Sequence, residues 1–384
     1  MEVLRVLAGI TGALVVVLTF GSAIRTVVLP RAIPSKLTRV VFLTMRRIFR
    51  LRARPSSPYE VRDRVLAAYA PVSLIILGFT WLTLTALAYT LVFWSLGEGS
   101  LAQAFHTSGS SLLTLGFDRP EDLGATVVAF SEAALGLLFL ALIITYLPSV
   151  YSVFSRREEG VGLLEIRAGS PPSGVEMLQR YVRIRGLEEL HEIWEYWERW
   201  FISVGETHTS FPAVVFFRSS LPEHSWVTAA GAVLDAASLR ASTLDMEREP
   251  RAELCIRAGY IALRRIAAFF RIPFDPDPSP TDPISISRIE FDEAYDALAE
   301  RGIPVVADRD QAWRDFAGWR VNYDTVLVSL AGLTMAPMAP WSSDRSIRTA
   351  RPGRRGRRAA DHPPIPESER ERRDWEREQA ARRS

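Results

Sequence analysis

The chain has 384 residues and a formal net charge of +2, and its near-zero mean hydropathy of +0.07 averages a hydrophobic first third with a charged remainder. Its one cysteine, Cys255, excludes an intrachain disulfide and a cysteine-built metal site, and no oxidising compartment is implied.

The first apolar run, 6–29, exceeds the roughly 20 residues a helix needs to cross a bilayer. Gly21, Ser22 and Ala23 would suit a cleavage site, but only Arg5 precedes the run and the heavy positive charge follows it, the reverse of a secretory signal. Residues 1–30 are therefore expected to form an uncleaved first transmembrane helix with its N-terminus outside. From Arg25 to Arg54 the chain carries nine Lys or Arg residues and no acid. By the positive-inside rule this makes 31–64 a cytoplasmic linker. Within it, 36–52 mixes large apolar residues with cations, as in a helix lying at the membrane surface with anionic lipids as partner. A solvated linker is the alternative, because the apolar residues form no single stripe.

Residues 65–96 contain no charged side chain, and 123–151 contain only Glu132. Both runs are long enough to span. We read 65–157 as a pore domain, with an outer helix at 65–97, a re-entrant loop at 98–121 and an inner helix at 122–153. In the loop, Leu101 to Leu113 forms a short helix whose C-terminal dipole end favours a cation. Thr114, Leu115, Gly116 and Phe117 follow as an extended stretch whose backbone carbonyls replace the water shell of a permeant ion, while Ser110 and Ser111 put hydroxyls behind it. One chain supplies one such stretch, so a closed ring requires several copies; four is the number that builds the known potassium filter, and a homotetramer is expected on that likeness. Glu132 is costly inside a bilayer and needs a partner, for which His106, Ser110 and Ser111 are candidates. Two readings of it stay open: an acid that braces the filter or senses protons, and a carboxyl that reaches water at the outer boundary.

Here the sequence resembles the potassium-channel superfamily, specifically its bacterial two-helix pore proteins, whose filter reads Thr-Thr-Val-Gly-Tyr-Gly-Asp. The resemblance covers about 65–157. It sets Leu113 and Thr114 on the two threonines, Leu115 on the valine, Gly116 on the first glycine and Phe117 on the tyrosine. Asp118 stands at the second glycine, or at the aspartate if one residue is deleted, so the second glycine is missing either way. The resemblance implies a cation pore with potassium favoured and selectivity reduced, and it implies gating roles for Gly136 as hinge and Pro148 as kink.

After Arg157 the composition changes to that of an all-α cytoplasmic domain, expected at 158–341. Leu187, Leu190, Ile193, Trp194, Trp197 and Phe201 share a helix face opposite a row of glutamates. Further helices are expected at 225–244, 251–272, 289–301 and 310–330, with a strand or buried helix at 211–217. Neither a Gly-x-Gly-x-x-Gly turn nor a P-loop is present, so no nucleotide cofactor is assigned. His191, Glu195, Glu206, His208 and His224 match no metal signature, and Glu206 to Ser210 reads as a capped turn with a hydrogen-bonded histidine. The Arg- and Pro-rich 342–384 is expected to be disordered and to touch lipid rather than nucleic acid. No nucleophile, base and orienter come together, so an enzyme is not expected. The fold expected is mainly α and integral to the cell inner membrane, with three transmembrane helices, a re-entrant pore loop and a cytoplasmic C-terminal domain. The function expected is a tetrameric cation channel needing no metal beyond its permeant ion. The alternative is a non-conducting sensor or scaffold that keeps the pore fold.

Overall fold

A computed structural model describes residues 2–29, 35–53, 57–184 and 186–346. Among these the chain is mainly helical, with a single isolated β-bridge, Leu244 to Val305, and no strand. The helices are α1 (Glu2–Val27), α2 (Lys36–Arg52), α3 (Tyr59–Ala67), α4 (Tyr69–Leu96), α5 (Leu101–Leu112), α6 (Leu123–Ala168), α7 (Gly174–Ile184), α8 (Leu190–Ser210), α9 (Trp226–Ser242), α10 (Pro250–Phe269), α11 (Arg288–Glu300), α12 (Arg309–Arg320), α13 (Asp324–Thr334) and α14 (Ser343–Ser346). Three helical stretches are long and apolar enough to cross a membrane: Glu2–Val27, Tyr59–Leu96 and Leu123–Ala168.

The chain divides into two compact units, Met1–Arg156 with Thr207–Arg218, and Arg157–Glu206 with Ser219–Ser384. In the first, α1 lies along α4 because apolar faces of both can be buried only against each other or lipid. One core joins Ala23, Val41, Leu77, Trp81 and Phe139 from α1, α2, α4 and α6. A polar clamp fixes its register: the Trp81 indole donates to Ser22 Oγ at 3.2 Å, and Ser22 Oγ lies 2.7 Å from Ser35 Oγ at the start of α2. A second core joins Leu74, Tyr146 and Val150 to Ala213 and Val214, so the 207–218 insert packs on the span helices of its own unit. Arg218 secures it through a 2.6 Å ion pair with Asp63.

The inner helix outruns its expected end at 153. Val161 and Leu164 are buried one turn apart, and α6 ends only where Gly169 takes φ +81. The 211–217 run is a 3₁₀ turn, Pro212–Phe216, with proline at its first position, and His208 lies within α8 rather than in a capped turn. The expected helix at 310–330 is two helices, broken at Val321–Tyr323. The disorder expected from 342 does not hold at 342–346, where Ser342 and Ser343 are buried and α14 forms; 347–384 lies outside the described residues.

In the second unit, α9 is buried along nearly its whole length, which its Ala-rich sequence permits by presenting little bulk on any face. At its centre Asp235 meets Arg320, fully buried, and Arg320 also donates to Asp324 at 2.8 Å and to the Trp341 carbonyl. Burial alone would weaken the Arg320 cation, but the two carboxylates hold its pKa above the ordinary arginine value. The Cys255 thiol is pushed up by burial and then by Glu198, which leaves it protonated and unreactive.

Candidate functional site: the α5 loop and its braces

The loop is built from short-range rules. α4 stops at Gly97 with φ +99, and Gly99 turns the chain back at φ +63. Ser100 then caps α5, its side chain accepting from Gln103 N at 3.2 Å. Ala104, Ser108 and Leu112, four residues apart, face inward. At the far end the chain closes on the helix. Thr114 N donates to Ser111 O at 3.0 Å and Leu115 N to Ser110 O at 2.8 Å, the double bond of a Schellman cap. That cap wants a left-handed residue just past the helix, and here it is Thr114 at φ +55, a conformation that costs a β-branched residue about 1 to 3 kcal/mol. Gly116, at φ +72, is left-handed without that cost.

This geometry sorts the backbone groups. The N–H groups of Thr114, Leu115 and Gly116 point back to α5, while the carbonyls of Thr114, Leu115, Gly116 and Phe117 accept no hydrogen bond from any described residue. Leu115 and Phe117 are 61% and 64% exposed on the single chain. Behind the loop, Ser110 Oγ donates to Asp118 O at 3.1 Å and accepts from Asp118 N at 3.0 Å, and Thr107 donates to the Asp118 carboxylate at 2.7 Å. Ser110 and Asp118 are thus joined through the Ser110 hydroxyl, a contact the sequence does not announce, whereas Ser111 contributes through its carbonyl. Thr107 was missed. Glu98, Asp118, Glu121 and Asp122 gather beside the loop, and partial burial followed by these neighbours raises the Glu98 carboxyl above its ordinary value.

Glu132, 0% exposed, finds its partner in Ser108, which lies between the expected candidates His106, Ser110 and Ser111. Ser108 Oγ lies 2.5 Å from Glu132 Oε1 and 2.9 Å from the Ala86 carbonyl of α4. His106 instead sets its ring edge-on to Phe117 at 6.4 Å. The signal for Ser108 was available: it shares the 104/108/112 face with two apolar residues that must be buried. One turn further along both helices, Leu112 meets Gly136 so closely that an added Cβ would lie 2.2 Å from the Leu112 carbonyl. Pro148 sits inside an unbroken α6, with Thr145 and Ser149 hydroxyls bonded back to the preceding turn, an arrangement that bends helices. Of the polar cluster in the other unit, Glu195 pairs with Arg199 and Arg251, and Glu206 with Arg265. A cavity of about 210 Å³ there is bordered by Asp235, Glu290 and Trp341, but Asp235 and Glu290 are already engaged by Arg320 and Arg345.

The chain matches no family model, no curated protein and no solved structure.

Proposed function

We propose that the chain is one subunit of a tetrameric, potassium-channel-like cation channel, with Thr114, Leu115, Gly116 and Phe117 lining its filter. The observation that carries this reading is the sorting of backbone groups at the loop: N–H groups committed inward and four consecutive carbonyls left for an ion. Two membrane-length helices flank the loop, and the carboxylates around Glu98 give its mouth a negative field that concentrates cations. The exposed Leu115 and Phe117 require other copies to cover them. On this reading the N-terminus is outside, the inner end of α6 near Pro148 forms the gate, and the second unit lies in the cytoplasm beneath the inner membrane. Cross-linking in native membranes tests the assembly: a tetramer is expected, and a monomer overturns it.

The rival reading is a non-conducting sensor that keeps the fold. It is favoured by the Schellman cap, because Thr114 to Gly116 there do what any helix-ending turn does. Ion flux separates the two.

The basic helix α2 explains the missing apolar stripe by having two faces. Leu37, Val41, Phe42, Met45 and Phe49 pack inward, while Val40, Leu43 and Leu51 are exposed between Lys36, Arg39, Arg47 and Arg50. None of these four cations pairs with a described acid. An outward face that is both apolar and cationic suits anionic lipid. Replacing Arg39, Arg47 and Arg50 together by Gln is expected to strip most of the phosphatidylglycerol that native mass spectrometry finds retained on purified protein; undiminished retention removes this partner.

A further inference from the structure

Three oxygens lie in a row where the loop helix meets its two flanking spans: Glu132 Oε1 on α6, Ser108 Oγ on α5 and the Ala86 carbonyl on α4. The separations are 2.5 Å and 2.9 Å, both hydrogen-bond distances. Two such contacts need two protons. Ser108 supplies one, and the Ala86 carbonyl can only accept. The second proton must therefore come from the carboxyl.

The surroundings agree with this count. Glu132 Oε2 is buried with no hydrogen-bond partner among the described residues, and no described cation pairs with the side chain. An ionised carboxylate would leave a full charge in an apolar site with one donor, whereas a neutral acid leaves only a bare carbonyl oxygen. The ionisable groups nearby are otherwise employed: Tyr89 of α4 shares a hydrogen with Ser131 at 2.9 Å, His106 of α5 faces Phe117, and Asp118 is held by Thr107.

We propose that Glu132 is a neutral carboxylic acid and the positioning residue of the pore: it donates its proton to Ser108, which donates in turn to the Ala86 carbonyl, so that one directed chain fixes α5 to both spans. Ser108 and Leu112 on α5 match Glu132 and Gly136 on α6 turn for turn, so the hydrogen-bonded level lies one turn from the closest backbone approach. A charge at this point would break the chain and free α5 to tilt. The importance of that tilt rests on the channel reading, but the proton count does not.

Infrared spectroscopy of the full-length protein in lipid tests the proton directly. At neutral pH the wild type is expected to show the C=O stretch of a protonated carboxyl, absent from Glu132→Gln and moved to higher frequency in Ser108→Ala. Because Gln keeps a donor and a carbonyl, Glu132→Gln should assemble and melt like wild type, while Glu132→Ala melts lower. If no carboxyl band distinguishes wild type from Glu132→Gln, or if the band in Ser108→Ala is unmoved, the proposal falls. A band with no ion flux leaves Glu132 neutral and sinks the channel, and flux without a band does the reverse.

Discussion

Gly136→Ala is expected to cost about 1 to 3 kcal/mol of stability and to abolish flux together. The new Cβ would lie 2.2 Å from the Leu112 carbonyl and 3.2 Å from the Leu112 carbonyl carbon, and both are backbone atoms at the capped end of α5. A flexible side chain could swing away; a helix terminus held by Ser108 on one side and the Ser110 to Asp118 bonds on the other cannot. The strain therefore falls on the helix position itself, in the range found for overpacked cores. Gly162→Ala in the same helix is the control, because nothing lies within 4 Å of its added Cβ, and helix propensity there favours Ala by up to about 1 kcal/mol. A hinge role for Gly136, as the family resemblance implies, predicts a different result: altered opening with unchanged thermal stability. Melting curves of the two variants separate packing from hinging.

Arg320→Ala should be the most destabilising single change in the second unit. It would strand Asp235 and Asp324, whose buried carboxylates face the guanidinium, and it would leave the Trp341 carbonyl without its donor. Breaking a buried pair from one side costs about 3 to 5 kcal/mol, a large part of the 5 to 15 kcal/mol that holds an ordinary domain together. Converting all three to apolar or neutral partners, Arg320→Met with Asp235→Asn and Asp324→Asn, should recover much of that loss, since most of it is the cost of unpaired charge. Denaturant titration of the purified protein checks both. A loss below about 1 kcal/mol in the single variant would mean the charges reach solvent, as surface pairs do.

These two sites differ in how far the chain itself revealed them. The three long apolar helices were legible because runs of that length and hydropathy are the ones able to cross a bilayer. The short α5 between them was legible from its polar start and the turn residues that follow. Gly136 was noticed, yet its contact was not, since nothing in the sequence says which backbone will approach a helical glycine. Glu132 is marked by its cost, but the candidates for its partner were His106, Ser110 and Ser111, and only the inward register of Ala104, Ser108 and Leu112 selects Ser108. The helix break at Val321 was hidden for a stronger reason. Residues 310–330 carry a continuous helical pattern, and what fixes Arg320 at the end of α12 is Asp235, 85 residues away. α2 misled in the opposite sense: its apolar residues look scattered because they serve two faces.

The central claim is that bare carbonyls at Thr114 to Phe117 pass a cation, and potassium flux into liposomes holding purified protein tests it most directly. Gly116 sits at φ +72 with open space around it, so Gly116→Ala meets no clash and changes little except the backbone conformation the residue can hold. The account predicts flux in wild type, an equally abundant tetramer without flux in Gly116→Ala, and greater preference for potassium over sodium when a glycine is inserted between Phe117 and Asp118. Intact tetramers of all three that are equally silent would contradict it.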